Sequence, residues 1–419
     1  MPKLDAQELR KQKAERFQKA IRLEKPDRTP FCFLLGISAF LSNNAGYSVA
    51  DISHDYDKFF RAMIKFAEDF DHDWGFAFPG LANQVTITFI EDHPEIAPSV
   101  GLMTAPMHDI LQDNYTRWPG RELGDDIAPQ FIGGKFLEID EYDLLIEDPK
   151  KCLNEVVLPR AYRSLAKPDS AEAYGALIKW GMEVTRFGAA IGAAVVELSN
   201  IGYPQAPVST CNNPYDLIAD FIRHFDNTIM DFHRAPDKLK QAAEAILPFS
   251  LKFVDISTKV PPEMKQMYDI ESPLVFYPLH LNEFLHPKLY KEYYWPLLKK
   301  LIEADVEAGR VPLIFFEGDH TPHLETFLEL PKGKIIAYFE RPDWNEVAKV
   351  LKGHQCVMGA LPPSLLISGT LQKVEDHVKR MVDLFDGTGF ILSYAQSSLP
   401  KEVKAENLTA AIEALRKIG

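Results

Sequence analysis

The last third of the chain alternates short apolar runs with longer amphipathic stretches, and this alternation constrains the fold more than any other feature. Runs at 274–280, 311–317, 335–340 and 355–361, with 389–394 following, read as strands of about five to seven residues. The stretches 287–309, 321–330 and 343–352 between them carry helical periodicity. Four β-then-α units in succession build a parallel sheet. The pattern alone fits a (β/α)8 barrel and an open doubly wound sheet equally.

Upstream, residues 5–24 read as an amphipathic helix, with Leu9, Phe17, Ile21 and Leu23 set among lysines and arginines. Pro26 and Pro30 bracket its end, and PFCFLLGISAF (30–40) reads as a buried strand running into a loop. The section 84–150 is rich in Pro, Gly and Asp and is expected to be an irregular insertion over one end of the sheet. No short repeat or Gly/Ser linker divides the chain, so 1–419 is expected to form one domain.

Composition enters through what it excludes. A formal net charge of −14 supplies no basic face for nucleic acid. The longest apolar run, 187–196, is broken by Glu197 and is far too short to span a bilayer, so no membrane role is expected. The N-terminus is charged and amphipathic, without a basic-then-apolar leader or a small-residue cleavage site. Cys32, Cys152, Cys211 and Cys356 are scattered with no CxxC pair, which predicts free thiols and a cytoplasmic setting.

Four segments carry a resemblance. AERFQKAIRLEKPDRTPF (14–31), LHPKLYKEYYWPLLKKLIE (285–303), CVMGALPPSLLISGTLQKVEDHVKRMVD (356–383) and GFILSYAQSSLPKEVKAENLTAAIEAL (389–415) occur in order along the chain. Together they resemble the uroporphyrinogen decarboxylase-like superfamily, with 84–150 the part least covered. The resemblance implies a (β/α)8 TIM barrel with an N-terminal helical extension and an inserted segment. Porphyrinogen-decarboxylating members carry an arginine-rich stretch after the first strand. Here that place reads LLGISAFLSNN (34–44), with no arginine to pair a polyanionic substrate.

The other branch of the superfamily is the corrinoid-dependent methyltransferases. Thiol-methylating members hold zinc on an HxCG motif after the sixth strand and on a late cysteine. The corresponding positions here are Phe315, Glu317 and Gln396, so the sulfur-rich site is absent and one oxygen ligand is retained. The resemblance implies an O-demethylase component that moves a methyl group from a small methoxylated, aromatic donor to the Co(I) of a separate corrinoid protein. The cobalamin would arrive on that partner, because the chain lacks a DxHxxG-type motif of its own. Self-association into a homodimer is compatible with this reading.

In such a barrel the chemistry sits at the C-terminal strand ends. His280, Glu317 and Glu340 end three successive strands and form the expected metal set, for zinc or another divalent cation acting as a Lewis acid on the leaving oxygen. Glu317, with Asp319 and His320 just beyond it, forms the expected catalytic set, the last two as alternative proton donors. Competing structural roles stand beside these: Glu340 could pair with Arg341, and His320 and His323 could cap the helix near Pro322. Trp74, Phe78 and Tyr203 are candidate aromatic walls for substrate, and Cys211 falls where the fourth βα loop is expected. His354 and Cys356 form an HxC but lie at the start of the expected eighth strand, at the stability end of the barrel. The alternative activity, decarboxylation of a small acid, would need a basic group in the pocket, with Arg186 and Arg223 the candidates.

Overall fold

The computed structural model describes residues 5–394 and 398–418. Eight parallel strands follow in chain order: β1 (Phe31–Gly36), β2 (Trp74–Phe78), β3 (Val208–Thr210), β4 (Leu274–Leu279), β5 (Val311–Phe316), β6 (Ile336–Phe339), β7 (Cys356–Leu361) and β8 (Phe390–Tyr394). Their hydrogen-bonded order is β2-β1-β8-β7-β6-β5-β4-β3. Every neighbour is next in sequence and the first strand pairs with the last, which is the cyclic order of a (β/α)8 barrel and not of a doubly wound sheet. The seam lies between β2 and β3, where the rings of Phe78 and Phe276 stand 6.2 Å apart.

Strand alternation divides the core in two. Cys32, Leu34, Trp74, Leu274, Phe276, Leu313, Phe315, Ile336, Tyr338, Cys356, Met358 and Ile391 point into the barrel and pack together there. Helix α1 (Ala6–Ile21) joins them, its Phe17 stacked on Trp74 with ring centroids 5.0 Å apart, so the amphipathic N-terminal helix plugs the N-terminal end. Outward residues of the same strands, such as Phe316 and Phe339, pack against the surrounding helices in a second, larger cluster.

The excursion between β2 and β3 is longer than the 84–150 segment read from the sequence. The chain leaves the barrel after Phe78 and returns at Val208. Short turns and two small antiparallel strand pairs give way to α3 (Ala171–Asn200), a helix of 30 residues. One face of α3, including Trp180 and Phe187, is buried. Low hydrophobic contrast between its two faces hid this helix from periodicity. Strand counting also shifts by one: Cys356 opens the seventh strand, Glu317 follows the fifth, and Cys211 follows the third. β3 has only three residues and gives too little alternation to anchor a count.

Candidate active site at the barrel mouth

Strands β4, β5 and β6 each end one residue before the side chains expected there, and the period of two carries His280, Glu317 and Glu340 inward above Pro278, Phe315 and Tyr338. His280 is held on both ring nitrogens. Its Nδ1 lies 2.9 Å from Asp220 Oδ2 and its Nε2 3.3 Å from Glu317 Oε1. Asp220 belongs to α4 (Pro214–Phe221), the helix after β3, together with Asp216 one turn earlier. Asp216 accepts from the backbone N–H groups of His280 (3.1 Å) and Leu281 (2.9 Å) and from the Tyr294 hydroxyl.

The charges follow from these contacts. Burial works against a charged His280, but the carboxylates of Asp220 and then Glu317 outweigh it and hold the imidazole protonated well above its usual range. Burial, and after it the like charge of Asp220, pushes the Asp216 carboxyl up to about 7. The mouth thus holds an imidazolium between two carboxylates, with a third carboxyl group fixing its backbone.

Glu340 turns toward the loop after β5, accepting from Gly318 N–H at 2.6 Å. Gly318 has φ +73°, and a Cβ there would sit 1.9 Å from Glu283 Oε2, so only glycine fits between these groups. Asn282 donates to the Glu317 carbonyl at 2.9 Å and ties the β4 loop to the β5 loop. Arg341 is drawn to Glu283 at 3.0 Å. Beneath the charged layer, Phe78, Phe276, Phe315 and Tyr338 form an aromatic floor, with Phe315 and Tyr338 centroids 4.6 Å apart.

Other residues singled out in the sequence lie elsewhere. His320 is fully buried on the outer side of the barrel, its ring 4.0 Å from that of Phe316 and 5.5 Å from that of Tyr290. Burial and then His323 hold it neutral, far below the usual imidazole range, so it is not a charged proton donor. His323 stacks on Tyr290 at 4.0 Å, and burial lowers its pKa to about 4. Asp319 is exposed and accepts from Thr321 N–H at 2.9 Å, capping its own turn. Trp74 opens β2 instead of closing it, and so lies at the plugged end. Tyr203 is at that end too, its hydroxyl bonded to His72 and its ring under the Lys13 ammonium at 4.0 Å. Cys211 is buried beside β4, its N–H donating to the Phe276 carbonyl at 2.9 Å, and burial pushes its thiol up, away from thiolate. Of the four substrate candidates, only Phe78 reaches the mouth.

Arg223 is buried against Asp231 at 2.8 Å and Arg186 lies on α3, so neither supplies a cation to this site. Gln396 lies outside the described residues. Among the described residues, no three His, Cys, Asp or Glu side chains converge as metal ligands, and no helix is long and apolar enough to cross a membrane. Asp216, Asp220 and Tyr294 were missed in the sequence. The i, i+4 acid pair of PYDLIAD, starting from a proline at the first helical position, was the available signal.

A parallel barrel with its ionisable groups gathered at the C-terminal strand ends is the architecture of a barrel enzyme. The chain belongs to the family described as Uroporphyrinogen decarboxylase (URO-D), which matches residues 193–418. Among solved structures, a methyltransferase from Methanosarcina mazei matches with a TM-score of 0.60 and 12% identity, covering 97% of this chain and 98% of that one. A B12-independent methionine synthase from Shewanella sp. W3-18-1 matches with a TM-score of 0.34 and 12% identity, over 51% of this chain and 63% of that one. The first likeness supports the fold, and the second is too slight to support an argument. No curated protein matches the chain.

Proposed function

We propose that this protein removes the methyl group of a small methoxylated aromatic donor and passes it to a separate corrinoid protein. The observation that carries this reading is His280, charged between Asp220 and Glu317 directly above an aromatic floor. A methyl ether breaks its C–O bond slowly because the oxygen leaves with the bonding pair. A proton delivered to that oxygen as the bond breaks lowers the barrier. Phe78, Phe276 and Phe315 stack the donor ring, and His280 gives its proton to the leaving oxygen and regains one from solvent. Asp220 fixes the ring through Nδ1, while Glu317 keeps the proton on Nε2 until the donor displaces it. The corrinoid partner supplies the methyl acceptor.

A divalent cation fits this arrangement poorly. Zinc needs three or four converging donors, and among the described residues no three His, Cys, Asp or Glu side chains converge, with Glu340 turned away from His280 and Glu317 to Gly318 N–H. Decarboxylation would need a cation free to hold a carboxylate substrate, and among the described residues the His280 imidazolium is already flanked by Asp220 and Glu317 while Arg223 is bound to Asp231.

The test is transfer from a panel of methoxybenzoates and methoxyphenols to chemically reduced cobalamin, followed by loss of the Co(I) absorbance, with elemental analysis of the same preparation. Donor-dependent loss of Co(I) with well under one metal per chain is expected. Inactivity on the whole panel, with free cobalamin and with corrinoid proteins, would reject the activity. About one zinc per chain, lost in Glu317→Ala, would reject proton donation in favour of the Lewis acid.

A further inference from the structure

One buried amide at the barrel mouth takes no part in the charged network. β3 keeps the period of two: Val208 packs with the barrel interior, Ser209 bonds outward to Ser257, and Cys211 belongs to the outer cluster. Asn212 therefore points inward, while Asn213 turns out to cap Tyr215 N–H and to reach the Tyr294 carbonyl. Cys211 N–H donates to the Phe276 carbonyl, so the ladder with β4 runs on and sets Asn212 beside Pro278, one inward position below His280. Asn212 is 1% exposed, and its Oδ1 has no partner among the described residues. Buried polar groups are nearly always hydrogen-bonded, and an unpaired one at a barrel mouth calls for a ligand that pairs it.

Across the seam between β2 and β3 a second amide is in the same condition. Asn83 is fully buried, its Oδ1 accepting from the Tyr115 and Tyr162 hydroxyls and its Nδ2 unpaired among the described residues. Its N–H donates to the Gly101 carbonyl at 3.1 Å, and a Cβ on Gly101 would stand 3.8 Å from Thr210 Oγ1. The segment after β2 is thus packed against the end of β3, and the seam carries one orphan acceptor and one orphan donor, both neutral.

A hydroxyl donates one hydrogen bond and accepts another, whereas a carboxylate only accepts and has no proton for Asn212. We infer that Asn212 selects the donor by a free ring hydroxyl, so that the ether cleaved here is that of a methoxyphenol. The fate of the methoxy group rests on the proposed methyl transfer, while the choice of ring rests on Asn212. With strands ~4.8 Å apart and ~3.3 Å of rise per residue, the Asn212 and His280 backbones lie roughly 8 Å from each other. Both side chains point inward across that span, which suits one benzene ring with two oxygen substituents. A site built to bond a hydroxyl rejects the analogue that lacks it, because its own buried group is then left unpaired.

Equilibrium binding and turnover of 2-, 3- and 4-methoxyphenol, methoxybenzene and 4-methoxybenzoate by the full chain test this. Wild type is expected to bind the best methoxyphenol isomer about 10²-fold more tightly than methoxybenzene or 4-methoxybenzoate. Asn212→Leu is expected to narrow that ratio to a few-fold, with a urea midpoint no lower than wild type, since leucine leaves no buried amide unpaired. Equal binding of methoxyphenol and methoxybenzene by wild type would overturn the inference and leave Asn212 to a buried water. A preference that persists in Asn212→Leu would overturn it too, by moving hydroxyl recognition elsewhere. Binding that follows Asn212 without loss of Co(I) would uphold the choice of ring and reject methyl transfer. Loss of Co(I) with all the rings alike would do the reverse, and no binding of any ring would reject both.

Discussion

At the plugged end of the barrel, Asp73 is fully buried and receives hydrogen bonds from Arg16, from both terminal nitrogens of Arg28 and from Phe31 N–H. Arg16 also holds Asp27, and Lys13 holds Asp71 at 2.6 Å. Charges there are matched cation to anion. At the mouth, Asp216, Asp220 and Glu317 surround one imidazole, and the bond between His280 and Glu317 is open enough at 3.3 Å for a substrate to replace it. The PDR segment at 26–28, part of the family resemblance, belongs to the matched end through Asp27 and Arg28. A sequence motif of the family therefore marks stability here, and the surplus of acid marks the chemistry. Closed networks hold a fold in one state, and a proton donor needs a network left partly open.

The largest expected effect breaks the mouth. His280→Ala should lower kcat for methyl transfer by ~10²–10⁴-fold while leaving KM for the donor within a few-fold, because it removes the proton donor and not the aromatic floor. pH sharpens the same point. His280 keeps its proton above 6.5, so the stability it contributes is complete below that pH and is lost as pH rises through its higher folded value. Asp216 has the same sign: folding favours its protonated form, so stability declines as pH rises from 3.8 toward about 7. His320 and His323, buried and neutral, contribute with the opposite sign, so the two assignments are read from differences between wild type and variant. Relative to wild type, the urea midpoint should fall less with rising pH in Asp216→Asn over the lower range and in His280→Ala over the upper range. Variant profiles parallel to that of the wild type would contradict both assignments.

Breaking the other end should do the reverse. Asp73→Ala leaves two guanidinium groups at a buried site with a partner removed, at a cost of about 3–5 kcal/mol in urea unfolding. The kcat of the folded fraction should stay within two-fold of wild type. A variant that kept its stability but lost activity would mean that the two ends are coupled, and the contrast between them would fail.

The barrel was legible because parallel strands buried on both faces leave near-continuous apolar runs, and five of these stand out between 274 and 394. The mouth was legible only in part. Position at a strand end singled out His280, Glu317 and Glu340 as a metal set, and the structure turns all three inward, since a period of two is rigid. The partners of His280 were not legible, because Asp220 and Asp216 approach from a helix some sixty residues upstream and no local pattern encodes that docking. His320 failed for the opposite reason. It is next to the site in sequence, but the turn after Gly318 carries it outward into a cage of Phe316, Tyr290 and Phe327. α3 escaped detection because both its faces are apolar, and periodicity detects only contrast.

The smallest expected effect concerns Asp319, which stands two residues from Glu317 and was a candidate acid by sequence. Its Oδ1 accepts from both the N–H and the hydroxyl of Thr321, and the Thr321 hydroxyl in turn accepts from Asp343 N–H at 2.8 Å. These bonds join the turn after β5 to the start of α7 (Trp344–Leu351), outside the mouth. A capping carboxylate of this kind contributes ~1 kcal/mol. Asp319→Ala should therefore shift the urea midpoint slightly and leave kcat within two-fold of wild type. If kcat instead fell a hundred-fold with stability unchanged, Asp319 and not His280 would hold the transferred proton. The charged triad of Asp220, His280 and Glu317 would then be a second structural network, and the mouth would no longer differ in kind from the plugged end.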